Sequence, residues 1–173
     1  QARIGVEPRL LDGALFMRGA HREKGETRSF REVPAISFRS FAADVRVGAE
    51  HRGNAGAYIA LQNRGRETWF FKVYRDRDGK LHWEGLVANK NEHGLIGATV
   101  APGEPFRVDF RVDREPVQPV LQVWVNGAIV FAQAISNLRN PTGQMAIGLF
   151  VETANALAVD ASLDQVDLVY SQS

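Results

Sequence analysis

Two turns of the same kind divide the stretch from Asn54 to Leu86 into three strand-like segments. The turns are Asn63-Arg64-Gly65 and Arg77-Asp78-Gly79. Each ends in a Gly, which readily takes the positive φ that a three-residue hairpin loop with a bulge requires. The stretch therefore predicts a three-stranded antiparallel meander, and the loop lengths predict its register.

The predicted register places residues opposite one another across both hairpins. In the first hairpin the predicted pairs are Gln62 with Arg66, Tyr58 with Phe70 and Ile59 with Trp69. In the second hairpin they are Asp76 with Lys80, Tyr74 with His82, Lys72 with Glu84 and Val73 with Trp83. Because successive side chains of a strand point to opposite faces, an error of one residue would exchange the two faces.

The register sorts the side chains of the meander into two sets. The first set is apolar and is predicted to face a core: Ile59, Leu61, Trp69, Phe71, Val73, Leu81 and Trp83. The second set mixes aromatic and polar groups, as a recognition surface does: Tyr58, Gln62, Phe70, Lys72, Tyr74, His82 and Glu84. The second set is the main candidate site.

Short strands with Gly, Pro or Asn turns continue along the rest of the chain. Phe106, Val108, Phe110 and Val112 alternate with charged residues, which is typical of a half-buried strand. Asn126-Gly127 predicts a two-residue hairpin loop. Its predicted pairs are Val123 with Val130 and Trp124 with Ile129, and Ala88 to Gly94 is predicted to be a loop.

At least ten such strands and no sustained helical period predict an all-β protein. The expected architecture is a two-sheet antiparallel β-sandwich of jelly-roll type. Its 173 residues suit a single domain, residues 1–173, with residues 1–26 as a strand-and-turn segment packing on it.

Composition excludes several classes of function. Lys plus Arg total 21 against 20 for Asp plus Glu, so no excess charge favours nucleic acid. Without Cys there is neither a disulfide nor a thiolate site, and no apolar run reaches the ~20 residues of a membrane span. Because the chain opens at Gln1, we expect a processed piece of a secreted, periplasmic or cell-surface protein, and we count neighbouring domains of a larger protein among its expected partners.

Several segments resemble the concanavalin A-like lectin/glucanase superfamily, from about Phe38 onward. They are Phe106-Arg107-Val108-Asp109-Phe110, the hairpin from Leu121 to Val130, Thr142 to Leu149 and the closing Leu163 to Leu168. Gly79-Lys80-Leu81-His82-Trp83 is similar to a hairpin of laminin-G-like and 3-keto-disaccharide hydrolase-like domains. The resemblance implies a curved jelly-roll sandwich whose concave sheet often binds carbohydrate.

The catalytic patterns of these relatives are missing. A laminarinase-type enzyme needs paired carboxylates in a spacing such as Glu-x-Asp-x-x-Glu, and alginate-lyase-like relatives use a Gln-x-His strand. Neither pattern occurs in the chain. His82 and Glu84, with Tyr74 and Lys72 beside them, are the one constellation suited to acid–base chemistry. Two cross-strand pairs on a solvated face explain the same residues.

The predicted ligand contacts are the second set of the meander and one further residue, Trp124. Aromatic rings stack on sugar rings, while amides and charged groups bond hydroxyls. Trp124 is expected to share its face with Ile129 and Phe131. That apolar face predicts either a covering loop or N-terminal segment, a sugar platform, or a contact with a neighbouring domain.

No cofactor is predicted, and metal binding has weak support. Asp76-Arg77-Asp78-Gly79 lacks the ligand positions of a calcium loop. Ca²⁺ occurs in many lectin-like relatives, so Asp160 and Asp164 are the loop carboxylates considered for it. The four His residues lack metal-ligand spacing.

Three functions follow from these observations. The first is a non-catalytic carbohydrate-binding or adhesion domain with a polysaccharide or glycan partner. The second is a glycoside hydrolase or lyase of the 3-keto-disaccharide hydrolase-like kind, and the third is a structural spacer domain. Neither nucleic-acid binding nor membrane insertion is expected.

Overall fold

A computed structural model describes residues 8–11, 14–20, 25–87, 90–135, 138–153 and 158–171. Its thirteen strands are β1 Pro8–Leu11, β2 Ala14–Ala20, β3 Gly25–Pro34, β4 Phe38–Val47, β5 Ala55–Asn63, β6 Arg66–Arg75, β7 Lys80–Val87, β8 Lys90–Thr99, β9 Phe106–Asp113, β10 Val120–Val125, β11 Ala128–Ala134, β12 Gly143–Thr153 and β13 Ala158–Tyr170. Within these residues, no helix has the length and apolar character needed to cross a membrane.

The strands form two antiparallel sheets packed face to face. The seven-stranded sheet has the order β1-β2-β13-β4-β9-β10-β11, and the six-stranded sheet has the order β3-β12-β5-β6-β7-β8. All described strand pairs are antiparallel. The all-β, two-sheet prediction is therefore confirmed.

The core lies between the two sheets and is rich in aromatic rings. Phe41 and Phe110 stack within the seven-stranded sheet, with ring centroids 6.0 Å apart. Phe71 of the six-stranded sheet meets Phe110 edge-on at 6.3 Å and contacts Phe131 at 4.5 Å. Phe71 also stacks on Trp83, so one ring ties β6 and β7 to β9 and β11. The predicted inward set of the meander does face this core.

The β6–β7 hairpin has the predicted register. Tyr74 pairs with His82, and Lys72 pairs with Glu84. The Asp76 N–H donates to the Lys80 carbonyl at 3.0 Å, which closes the loop. Gly79 has the positive φ, 86°, that its place at the end of the turn requires.

The β5–β6 hairpin differs from the predicted register by one residue beside the turn, where Gln62 pairs with Glu67 rather than with Arg66, and by two residues farther along the strands. Ile59 pairs with Phe71 rather than with Trp69, and Tyr58 pairs with Lys72 rather than with Phe70. The loop is a two-residue turn with positive φ at both Arg64, 50°, and Gly65, 76°. A bulge then leaves Thr68 unpaired. Because the shift beyond the bulge is an even number, every side chain stays on its predicted face.

A bulge also changes the β10–β11 hairpin. Trp124 pairs with Ile129 as predicted, but Val123 pairs with Phe131 and leaves Val130 unpaired. The extra residue turns the Phe131 ring into the core, where it lies 5.3 Å from Trp83. The expectation that Phe131 shares the Trp124 face is therefore wrong.

One predicted loop belongs largely to a strand, and one strand was not predicted. Residues 90–94 of the expected Ala88 to Gly94 loop begin the edge strand β8, and residues 88–89 lie outside the described part of the chain. Residues 90–93 are all exposed, so this end of the edge strand shows no apolar alternation and its polar sequence resembles a loop. Gly25–Pro34 forms β3, although its alternation is too loose to predict a strand.

Candidate functional site

The predicted second set of the meander lies on the outward face of the six-stranded sheet. We call this surface the aromatic face and define it by Tyr58, Gln62, Phe70, Lys72, Tyr74, His82, Glu84 and Phe150. The register forms one row from Tyr58, Lys72 and Glu84 across β5, β6 and β7. Tyr74 and His82 form the adjacent row. Seven of the eight predicted ligand contacts therefore come together on one surface.

Tyr74 and His82 form a stacked pair, with ring centroids 5.3 Å apart and planes 13° from parallel. The His82 Nε2 lies 2.7 Å from Asp76 Oδ2. An ionised carboxylate only accepts hydrogen bonds, so Nε2 carries the proton and donates it to Asp76. The imidazole is thereby fixed in tautomer and in orientation, with its Nδ1 left as an acceptor.

Asp76 is itself held by three hydrogen bonds. Its Oδ1 accepts the backbone N–H groups of Asp78 and Lys80, each at 2.9 Å. Partial burial would raise the pKa of the Asp76 carboxyl, but the bonds from His82 and from these two N–H groups outweigh burial and lower it. Asp76 is therefore an ionised anchor for His82 at neutral pH.

The hydroxyl of Tyr74 is kept protonated. Burial raises the pKa of Tyr74, and the nearby carboxylates of Glu84, Glu152 and Asp76 raise it further. A neutral phenol can both donate and accept a hydrogen bond. The stacked pair thus presents two half-buried rings together with groups able to bond a ligand hydroxyl.

Lys72 is held among aromatic rings at the centre of the face. Its Nζ lies 5.0 Å from the Phe150 ring centroid and 5.4 Å from that of Phe70. The distance from Nζ to Glu84 Oε2 is 4.0 Å, at the outer limit of an ion pair. The Asn91 Nδ2 donates to Glu84 Oε1 at 3.0 Å. The predicted Lys72–Glu84 pair exists, and its side chains are 8% and 28% exposed.

Tyr58 supports the face from below rather than forming its surface. It is only 1% exposed and packs in a cluster with Ala60, Ala146 and Phe150. A ligand therefore cannot reach its ring without rearrangement of the residues above it. Gln62, by contrast, is half-buried at the end of β5.

Trp124 lies on the other sheet, on the outward face of the seven-stranded layer. The Arg111 guanidinium is 5.2 Å from its ring centroid and pairs with Asp109, whose Oδ2 is 2.8 Å from Arg111 Nε. The cover on Trp124 is thus an arginine of the same sheet. Ile129 shares this face and is 49% exposed. The structure does not bring Trp124 together with the aromatic face.

Asp160 and Asp164 do not converge on one cation. Both lie on β13, four residues apart, which is about 13 Å along a strand. Asp164 pairs in register with Asp44, and its Oδ1 accepts the Gln165 N–H at 2.7 Å. The described residues contain no group of three or more His, Cys, Asp or Glu side chains arranged to hold a metal ion.

Sequence reasoning missed two residues of the site. The sequence pattern places Asp76 in the turn. Asp76 is also two residues from Tyr74 and so on the same face, and this position could have predicted its contact with His82. Phe150 comes from β12, whose residues 145–151 are buried on both faces. Such a strand shows no alternation, so its sequence does not mark which residue reaches the aromatic face.

Neither a protein-family model nor a curated protein sequence matches the chain. Solved structures do match it. A protein of unknown function from Saccharomyces cerevisiae is similar with a TM-score of 0.65 and 12% identity, over 96% of this chain and 93% of that one. An endo-1,3-β-glucanase from Streptomyces sioyaensis has a TM-score of 0.60 and 12% identity, over 94% and 77% of the two chains.

The alginate lyase AlyC3 is similar to the same degree. Its TM-score is 0.60 at 12% identity, and the match covers 92% of this chain and 75% of the lyase. At these identities the likeness shows the fold alone, and that fold is the two-sheet jelly roll predicted from the sequence. The glucanase and the lyase have different activities, so the fold by itself does not assign a reaction.

Proposed function

We propose that this concanavalin A-like jelly roll is a non-catalytic carbohydrate-binding or adhesion domain whose ligand lies across the aromatic face. The observation that carries the proposal is the stacked Tyr74–His82 pair, which Asp76 holds rigid on the outward side of a sheet. Aromatic rings on a sheet surface, fixed in advance and surrounded by polar groups, lower the cost of ordering side chains when a ligand binds.

The chemistry of this face suits a polyhydroxylated ligand. Ring faces pack against the apolar side of a pyranose, and Phe70, Tyr74 and His82 are all half-buried. Glu84 accepts hydrogen bonds from hydroxyls, and Gln62 both donates and accepts them. With one Lys and one Glu paired at the centre, the aromatic face has no net charge of its own that would select a charged ligand.

Two of the similar structures support this class of ligand. One is an endo-1,3-β-glucanase and the other an alginate lyase, so proteins with this fold act on polysaccharides. A polysaccharide or glycan is accordingly the partner we propose, in a secreted, periplasmic or cell-surface protein. A glycan array of plant, algal and bacterial polysaccharides is the first test, followed by titration calorimetry on any ligand found.

Variants locate the site. Tyr74→Ala and His82→Ala should each weaken binding by about tenfold or more, since one stacked or bonded contact is worth about 1–2 kcal/mol. Tyr170→Ala is the matched control, because Tyr170 is 37% exposed on β13 of the other sheet. Loss of binding in Trp124→Ala with none in Tyr74→Ala would move the site to the other sheet and contradict the proposal.

The second candidate is a hydrolase or lyase that uses His82 and Glu84. The oriented His82 imidazole favours it, because a fixed imidazole is the commonest acid–base group. Carboxylate spacing opposes it. Asp76 is opposite Lys80, and Glu84 lies four residues farther along β7, so the backbones of Asp76 and Glu84 are about 13 Å apart along the sheet. The two carboxyl groups of a glycosidase are only ~5–9.5 Å apart.

Incubation of the chain with each bound glycan separates the two functions. Release of reducing ends, or ultraviolet absorbance from unsaturated products, that disappears in His82→Gln would establish an enzyme. No binding to any glycan of the array would instead favour a structural spacer domain.

A further inference from the structure

A polar cavity of about 600 Å³ lies at the end of the six-stranded sheet, between the β5–β6 turn and the loop before β12. Its lining residues are Asn63, Arg64, Arg66, Thr68, Asn140 and Thr142. Arg66 and Tyr74 are eight residues apart on β6, or about 26 Å. The cavity is therefore remote from the stacked Tyr74–His82 pair, although Gln62 at the near end of the aromatic face adjoins Asn63, and no step below depends on the function proposed for that face.

Two guanidinium groups give the cavity a positive charge. Arg64 and Arg66 are both exposed, and neither makes an ion pair or a hydrogen bond within the described part of the chain. No carboxylate is among the described lining residues. Glu67, which lies between Arg66 and Thr68 in sequence, pairs with Gln62 on the outward side and does not line the cavity. The two charges are thus available to an anion.

The backbone places the two arginines one residue apart at the cavity. The turn itself supplies Arg64, in the left-handed conformation with φ 50°, and Arg66 starts β6 directly opposite Asn63. The two arginines are therefore separated by Gly65 alone. Arginine pairs with a carboxylate through two parallel N–H···O bonds, so two neighbouring arginines can bracket one such group.

The remaining wall offers amide and hydroxyl groups. Asn140 Oδ1 accepts from the Thr142 N–H at 3.0 Å and from the Thr142 hydroxyl at 2.9 Å, which leaves the Asn140 amide N–H₂ as a donor. Thr68 Oγ1 donates to the Leu61 carbonyl at 3.1 Å and keeps its acceptor lone pairs. Asn63 Oδ1 is buried and has no hydrogen-bond partner among the described residues.

We propose that this cavity binds an acidic saccharide unit, whose carboxylate is bracketed by Arg64 and Arg66. The hydroxyls of the same unit are bonded by Asn140 and Thr142. The volume argues for a whole saccharide unit over a bare oxyanion, because cavities that bind small organic ligands measure about 300–1,000 Å³. The amide and hydroxyl wall argues for a polyhydroxylated acid.

Three probes of matched design test the proposal by calorimetry on the whole chain. They are trigalacturonate, the uncharged trisaccharide xylotriose, and potassium sulfate. Trigalacturonate should bind with an affinity that falls as salt is raised, and neither xylotriose nor sulfate should match it. Sulfate that binds as tightly as trigalacturonate, and displaces it, would show a site for free oxyanions and overturn the saccharide assignment.

The double variant Arg64→Gln/Arg66→Gln should lose trigalacturonate affinity by about tenfold or more. Arg77→Gln is the matched control, since Arg77 is an exposed arginine in the other hairpin turn of the same sheet. Equal losses of trigalacturonate affinity in the double variant and the control would show that the net charge of the protein, and not this cavity, determines binding, and would overturn the proposal. Arg66→Lys keeps the charge without the planar fork and should retain part of the affinity.

The outcome is distinguishable from that of the glycan site on the aromatic face. Tyr74→Ala should leave trigalacturonate binding at this cavity unchanged, and the double arginine variant should leave neutral-glycan binding at the aromatic face unchanged. Trigalacturonate binding that is lost in Tyr74→Ala but kept in the double arginine variant would place the acidic ligand on the aromatic face instead. The four substitutions, Arg64→Gln, Arg66→Gln, Arg66→Lys and Arg77→Gln, are all at exposed positions. One thermal melt of each variant therefore checks that it folds.

Discussion

The Asp76 carboxylate and the His82 imidazole are joined by a 2.7 Å hydrogen bond across the β6–β7 hairpin. The two residues are diagonal neighbours, because Asp76 faces Lys80 beyond the loop and His82 faces Tyr74 one row further on. The same carboxylate therefore closes the turn through its Oδ1 and orients a ring of the aromatic face through its Oδ2. Turn stability and site geometry depend on one side chain.

Replacing Asp76 by Asn should lower the free energy of unfolding by about 1–3 kcal/mol. The amide oxygen can still accept the two backbone N–H groups, but its N–H₂ then meets the donating Nε2–H of His82. Urea denaturation measures the change. Asp78→Asn is the control, because the exposed Asp78 side chain makes only a long ion pair, 3.8 Å, with the exposed Arg77. This substitution should alter the free energy of unfolding by less than about 0.5 kcal/mol. Similar losses in the two variants would contradict this account.

His51 should make the protein less stable as the pH falls below neutrality. It is 3% exposed, and burial lowers its pKa below the ordinary 6.5 against the opposing effects of Asn54 and Asp160. Below about pH 6.5 the unfolded chain binds a proton that folded His51 does not, so the free energy of unfolding decreases until the folded pKa is reached. Its Nδ1 already accepts the Asp160 N–H, at 3.3 Å.

The test compares the pH slope of stability in the wild type and in His51→Gln, by urea denaturation between about pH 7 and pH 5. The variant should have the shallower slope, whatever its absolute stability. His93→Gln, at an exposed position on β8, should keep the wild-type slope. An unchanged slope in His51→Gln would show that His51 is not the group that titrates.

Gly56→Ala should be far more damaging than Gly65→Ala. A Cβ at Gly56 would overlap the carbonyl oxygen of Val73, which is backbone and cannot move aside, so a loss of at least about 3 kcal/mol is expected. A Cβ at Gly65 meets nothing within 4 Å, and its cost comes only from the φ of 76°. That cost is about 1–2 kcal/mol. Thermal unfolding of both variants checks the order, and the reverse order would contradict it.

Arg114→Lys should destabilise the corner between β3 and β4. The Arg114 Nη2 donates to the Ala35 carbonyl at 2.6 Å and to the Phe38 carbonyl at 2.9 Å, while its Nε adds a third bond to Phe38. Lysine lacks the Nε donor, and its side chain ends one bond short of the Nη2 position, so the variant should lose about 1–3 kcal/mol in urea denaturation.

Arg139→Lys provides the comparison for Arg114. Arg139 is exposed and makes one long contact, 3.4 Å, with the Pro116 carbonyl. Its replacement should change the free energy of unfolding by less than about 0.5 kcal/mol. If Arg114→Lys were equally mild, the carbonyl contacts would not be what holds the corner.

Register was predictable where turn chemistry left one solution. Asp76 to Gly79 forms the expected loop, so every predicted pair of β6 and β7 is present. In the β5–β6 hairpin, a two-residue turn with a positive φ at Arg64 replaces the expected three-residue loop. Nothing in the side chain of an arginine signals that conformation, which non-Gly residues seldom adopt. The register error of two residues does not exchange the two faces of the sheet, so the predicted inward and outward sets are correct.

The limits of the sequence are clearest at bulges and edges. Nothing in the local sequence indicates that Val130 is unpaired. This bulge nevertheless decides that the Phe131 ring faces the core. The first residues of the edge strand β8, 90–93, resemble a loop because all four are exposed. Two parts of the site depend on strands that only the folded sheet brings together: the Phe150 ring beneath the Lys72 ammonium, and the cavity between two distant loops.

Thr68, the unpaired residue beside the β5–β6 turn, is a residue that the hairpin can spare. Its removal would restore regular pairing and leave Leu61 and Trp69 on the core side. Any other loss of a single residue from β5 or β6 would exchange the buried and exposed sides of a strand. As related sequences diverge, single-residue length changes in this hairpin should therefore collect at Thr68, and changes elsewhere in its strands should come in twos.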